Sequence, residues 1–279
     1  MTEVQRPTSV FAPYRAGLPP IRPYASALWT RRRFAFEMAR SGRRARHVDS
    51  LFGQVWNLLN PLLLALVYWF LITIIRGSSG GIDGIVALIS GLFAFFYSRE
   101  VMASGAGSVV GGGGLLLNSA FPRLLLPLSA LFNAMMSHRA QLIVLAVLVV
   151  AVGFPIGPHL LWLVPILVIQ TAISTGLMLL LAVLTVYFRD TSSLLSYVLR
   201  IWLYLSPVLY RPSEVPSGAR PWTHLNPLFD IIGAWQRVVV DGLAPQATDL
   251  LVSVGWSVVV LTTGVVLFLS KEREFAVRI

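Results

Sequence analysis

No cysteine occurs in the 279 residues, which excludes disulfides and thiolate metal centres and says little about compartment. Lysine is nearly absent too, Lys271 being the single one. It stands in Ser-Lys-Glu-Arg-Glu, without the GxxxxGK[ST] loop whose lysine reaches the phosphates of a nucleotide. The chain therefore has no Walker-type ATPase of its own. Charge is short overall, at 12% of residues. A membrane-embedded glycan or phospho-transferase would need paired acids or a metal site at the membrane surface, and the sequence offers neither.

What the chain has instead is apolar length. Hydrophobic residues make up 56% and mean hydropathy is +0.74, far above a globular domain. This is the composition of an all-α integral membrane protein. The charge is also lopsided, because residues 1–50 hold ten arginines against three acids, seven of the chain's ten net positive charges. Basic residues packed beside a first apolar run mark a cytoplasmic flank. Nucleic-acid binding is not indicated, since no aromatic-interleaved basic fold accompanies them.

Residues 1–23 carry five prolines and no signal-type apolar core, and read as a mobile cytoplasmic tail. Residues 24–55 read as an interfacial amphipathic helix, centred on 24–40, and a lead-in segment. It mixes Trp29, Phe34 and Phe36 with arginines and is too polar to span. The domain of residues 56–270 holds six expected spans: 56–75, from Gly84 past Glu100, 128–152, 160–188, 194–210 and 250–270. Residues 271–279 form a charged tail. Arginine-rich flanks alternate with poor ones, so both termini fall on the cytoplasmic side. The two halves show no internal repeat, which weighs against an inverted-repeat transporter.

Three arginines stand inside apolar runs: Arg99, Arg139 and Arg200. An Arg at a helix centre costs roughly 2.5–3.5 kcal/mol on insertion, so each should face the bundle or water, or snorkel to a boundary. Glu100 is the one acid placed within a span. Spans two and three are consecutive and antiparallel, so Glu100 and Arg139 are expected to form a structural pair. Arg99 and Arg200 would then remain without an acidic partner in the spans, and Arg is suited to bidentate phosphate contact. Phe95, Phe96 and Tyr97, with Trp202, Tyr204 and Tyr210, are rings able to stack on a ligand, although aromatic rings on spans more often pack or belt the interface. His138 reads as a hydrogen-bonder within the bundle. After Asn226-Pro227, a helix start, Leu228, Ile231, Ile232, Trp235, Val238 and Val239 recur at helical spacing, too briefly to span.

The order of these features resembles the permease subunit of type-2 ABC exporters, in particular the Wzm-like subunits that export O-antigen, teichoic acid or galactan. Arg189-Asp190, Ser206-Pro207-Val208-Leu209-Tyr210 and Leu225-Asn226-Pro227-Leu228-Phe229-Asp230 carry the resemblance, together with Ser50, Leu51, Gly53, Trp56 and Pro61 and with Phe121-Pro122-Arg123 through Pro127. Phe52, between Leu51 and Gly53, departs from the pattern by one residue. The resemblance implies short re-entrant gate helices at about residues 212–240, with Ile232, Trp235 and Arg237 in the gate. It implies a coupling helix at about 111–122, where Leu115, Leu116, Leu117 and Asn118 dock on a partner. That partner is an ATP-binding cassette subunit in two copies, which holds the ATP and Mg while this chain binds no cofactor. The permease would work as a homodimer in the bacterial cytoplasmic membrane and move a lipid-linked glycan outward, along a path with Arg99 and Arg200 at its phosphate and Phe95, Phe96, Tyr97, Trp202, Tyr204 and Tyr210 at its sugars. The rival within the superfamily is a drug or lipid permease.

Overall fold

The computed structural model describes residues 19–45, 55–77, 80–114 and 121–278. Ser50, Leu51, Gly53 and the docking residues Leu115, Leu116, Leu117 and Asn118 lie outside the described residues, as does most of the expected N-terminal tail. The described chain is helical, without a strand. Twelve α-helices follow in order: α1 (Ile21–Thr30), α2 (Arg32–Ala45), α3 (Trp56–Arg76), α4 (Gly81–Ala106), α5 (Ser108–Gly111), α6 (Leu125–Val152), α7 (Leu163–Tyr187), α8 (Thr191–Leu205), α9 (Arg220–Thr223), α10 (Phe229–Val239), α11 (Ala247–Lys271) and α12 (Phe275–Arg278).

The expected interfacial helix is two helices. They part at Arg31, where the Trp29 carbonyl accepts from Arg32 Nη1 at 2.7 Å. Helix α2 buries Ala35 and Ala39 and packs on α6, with Phe36 against Phe132 at 6.5 Å.

Five described helices are long and apolar enough to cross a membrane. Residues 194–210, expected as another span, hold only α8, which has 15 residues and ends at Leu205. At 1.5 Å per residue it is about 22 Å long, short of the ~30 Å hydrocarbon core. It stops because Ser206 is extended, with φ −99° and ψ 152°, the backbone favoured before a proline.

Helix α4 is the centre. Of its apolar window 67% is buried, against 17% of α3's, and α3, α6, α7, α8 and α10 all pack on it. Helix α3 contains Pro61, which lacks the N–H that would pair with the Asn57 carbonyl. Gln141 Nε2 of α6 donates to that carbonyl instead, at 3.1 Å, so the defect becomes a tether. The closest helix pair is α7 with α11. A Cβ on Gly264 would stand 2.4 Å from the Gly176 carbonyl oxygen, and one on Gly176 would stand 2.5 Å from Val260 backbone. Only two glycines let these backbones meet, the small-residue packing that membranes favour.

One end of the bundle gathers α1, α2, residues 121–124 and the C-terminal tail. Tyr24 Oη donates to Glu272 Oε2 at 2.5 Å, Phe34 meets Phe121 edge-on at 5.9 Å, and Phe275 packs on Phe268 at 5.2 Å. Burial and the Glu272 carboxylate push the Tyr24 hydroxyl well above its usual range, while burial lowers the Arg123 guanidinium. The tail expected as a plain charged end is thus folded onto the bundle. The opposite end gathers the turn at Gly80, the loop around Pro155 and the connector from Arg211 to Gln246.

Candidate translocation path and gate

Helix α10 is eleven residues long and almost wholly buried, including Asp230 and Gln236. Its sequence spacing suggested an apolar stripe on one side. It lies instead among α4, α7 and α11, which cover it on several sides. Its polar groups must then find partners inside the bundle. Trp235, 1% exposed, donates from Nε1 to Gln170 Oε1 at 2.7 Å. Gln170 Nε2 donates in turn to the Ala94 carbonyl at 2.7 Å and Ser98 Oγ at 2.9 Å. Gln236 Nε2 donates to the Pro207 carbonyl at 2.8 Å. Ile232 is fully buried.

The connector that delivers α10 is held by side chains on the flanking helices. Trp202 Nε1 donates to Asn226 Oδ1 at 2.7 Å, and Asn226 Nδ2 donates to the Leu205 carbonyl and to Ser206 Oγ, both at 3.1 Å. Asn226 Oδ1 also accepts from Leu228 N at 3.0 Å, a turn ahead of α10; the helix itself begins two residues beyond Pro227, with Leu228 as its N-cap and no side-chain cap, so the start read at Asn226-Pro227 is shifted. Trp256 Nε1 donates to the His224 carbonyl at 2.8 Å. His224 Nδ1 lies 3.0 Å from both Asp230 oxygens. That bond raises the imidazole above its ordinary value, and burial raises the Asp230 carboxyl. Arg237 faces a cleft of about 440 Å³ on the connector side and donates from Nε to the Ala244 carbonyl at 2.8 Å. It secures the turn after α10.

The expected path residues are dispersed. Phe95 is buried in the core. Tyr97 is buried as well, stacked on His138 at 4.5 Å with its hydroxyl 2.8 Å from Thr171 Oγ1. Arg99 is exposed over the Phe96 ring at 5.1 Å. Both border a polar cavity of about 210 Å³ between α3, α4 and α6, with Asn57, Glu100 and Gln141. Arg200 and Tyr204 are exposed on α8, and Tyr204 Oη is 3.0 Å from Tyr68 Oη. Tyr210 is half-buried near Phe229, with its ring 6.4 Å away. Trp202, as above, is a structural anchor.

Glu100 and Arg139 do not pair. Glu100 borders the polar cavity with Asn57 and Gln141, whereas Arg139 is exposed and borders a separate groove with Met135 and Phe132, Tyr97 and His138 standing between the two. Successive helix residues differ by about 100° in direction, so when His138 turns inward Arg139 turns away. His138 is the bundle hydrogen-bonder expected, 2.8 Å from Gln141 Oε1. Sequence reading missed Gln170, although a lone amide within an apolar span is itself a signal.

A helical, multi-pass chain with a short helix sealed inside its bundle is the build of a membrane transporter subunit. Residues 38–238 match the ABC-2 type transporter family, and the chain belongs to that family. It is 28% identical over 235 residues to the O-antigen export system permease protein RfbA of Myxococcus xanthus, covering 84% of this chain and 90% of that one. Two proteins of the same name from Klebsiella pneumoniae are 28% and 26% identical, over 72% and 84% of this chain and 77% and 90% of theirs.

Proposed function

We propose that the chain is the transmembrane subunit of an ATP-driven exporter that carries a lipid-linked polysaccharide across the bacterial cytoplasmic membrane. It supplies the path, the gate and the docking surface. Two copies of a separate ATP-binding cassette subunit bind ATP and Mg and drive the cycle. The observation that carries this reading is α10. It is too short to span, yet it is locked into the bundle centre through Trp235 and Gln170 and hung from a braced connector, as befits a movable seal.

The outward faces of α3 and α8 support a homodimer. They expose Leu66, Phe70, Leu194 and Ile201, and α8 adds Arg200 and Tyr204 among them. A second copy seated there would keep the guanidinium from lipid and leave a polar seam for glycan. Helix α8 with the connector then completes a sixth crossing, and both termini lie in the cytoplasm beside the arginine-rich flank. Export by the chain with its cognate ATPase, in cells that make a lipid-linked glycan, tests the reading. Surface glycan should require both subunits, and replacing Ile232 and Trp235 together by Ser should leak small solutes from liposomes. A tight pore with that double variant would remove α10 from the gate.

A further inference from the structure

We propose that the flank between α6 and α7 binds one anionic phospholipid, its phosphate held by Arg139 and one acyl chain lying in the groove that ends at Trp235 of α10. Arg139 sits half-way along α6, about 20 Å from either end at 1.5 Å per residue. It is exposed, and it makes no hydrogen bond, ion pair or ring contact among the described residues. A guanidinium at that depth has five donors and nothing in the bundle to receive them.

The surface around it is built for a lipid. A groove of about 270 Å³, bordered by Phe36, Phe132, Met135 and Leu142, receives the arginine. It shares Leu142 and Leu167 with a second groove of about 490 Å³, bordered by Leu145, Val149, Val164, Val168, Trp235 and Val239. The two form one apolar crevice running along α6 and α7. Side chains on a helix lean toward its N-terminus, so Arg139 reaches back toward Phe132 and α2. Helix α2 exposes Arg33 and Arg40 at that end. The polar group that belongs there is anionic, and what lies beyond it is a hydrocarbon chain.

The occupant is a bilayer lipid rather than a second copy of this chain. A helix is 10–12 Å across, too thick for a crevice of this volume, whereas an acyl chain fits between α6 and α7 and touches the inner wall. That wall is the Trp235 ring, whose N–H is tied to Gln170. The lipid therefore packs against the gate helix from the side and steadies α10 in the sealed position.

The test uses the full-length protein in mild detergent with equal amounts of phosphatidylglycerol and phosphatidylcholine, read by native mass spectrometry. Wild type should retain phosphatidylglycerol in preference. Arg139→Gln should lose that preference, Arg139→Lys should restore it, and Val164→Trp, which fills the crevice with the charge intact, should lose the bound lipid. Brominated phosphatidylglycerol should quench tryptophan fluorescence, and part of that quenching should vanish in Trp235→Phe. Equal retention of both lipids by wild type, or an unchanged preference in Arg139→Gln, overturns the proposal. So does displacement by an equimolar polyprenyl phosphate, which would make the site a cargo site. A dimer mass lost in Arg139→Gln with lipid retention intact assigns the arginine to a subunit contact and overturns it too. Should Arg139→Gln fail to fold, Arg139→Lys and Val164→Trp decide alone.

Discussion

Trp235 combines the largest apolar surface in the bundle centre with one hydrogen-bond donor, and both are used. Trp235→Phe keeps most of the packing and leaves Gln170 Oε1 without its donor. An unsatisfied buried group costs about 1–3 kcal/mol, while interhelical hydrogen bonds in membranes average about 0.6 kcal/mol. The expected loss is therefore on the order of 1 kcal/mol, and the melting temperature in detergent should fall without loss of expression. Arg200 makes a different kind of prediction. It is exposed on α8 and paired with no acid among the described residues, so Arg200→Gln should lower glycan export and substrate-stimulated ATPase activity with assembly unchanged. Export at the wild-type rate would separate this side chain from the cargo. Glu100→Gln should not rescue an Arg139 variant, since the two side chains border separate cavities.

Among the elements, the connector carries the pH dependence. The hydrogen bond that His224 donates to the Asp230 carboxylate raises the imidazole above its ordinary 6.5. A raised histidine contributes its stability fully below the unfolded value and loses it as pH climbs through the folded one. Asp230, raised by burial, has the same sign at lower pH. Hydrogen exchange in residues 215–230 should therefore be slower at pH 6 than at pH 9, after correction for the intrinsic rate. His224→Gln should flatten that difference, and a slope that survives it would place the titration elsewhere. The helix after Asn226-Pro227 was legible in the sequence, although it starts at Phe229 and Asn226 makes a turn ahead of it rather than its cap. Its surroundings were not, because spacing records one apolar side and cannot show that Asp230 meets His224 of the connector or that Gln236 Nε2 meets the Pro207 carbonyl.

At the scale of the whole molecule, the end that gathers Tyr24, Phe121, Arg123 and Glu272 follows directly in sequence on the expected coupling segment. A charge placed at Leu116 or Leu117 should abolish co-purification with the ATPase while the chain still inserts, and unchanged co-purification would remove the coupling assignment. Residence in the membrane, the places of the long spans and the basic flank were determined by the sequence alone, because hydropathy over about twenty residues is a local sum. The order of short motifs carried the family as well. The tertiary structure alone decided which way each intramembrane side chain faces. Gln170 and Trp235 are 65 residues apart, and depth alone would pair Arg139 with Glu100. Depth is fixed by position along a helix, but facing depends on the rotation of that helix against neighbours distant in sequence, and α6 turns His138 inward and leaves Arg139 exposed.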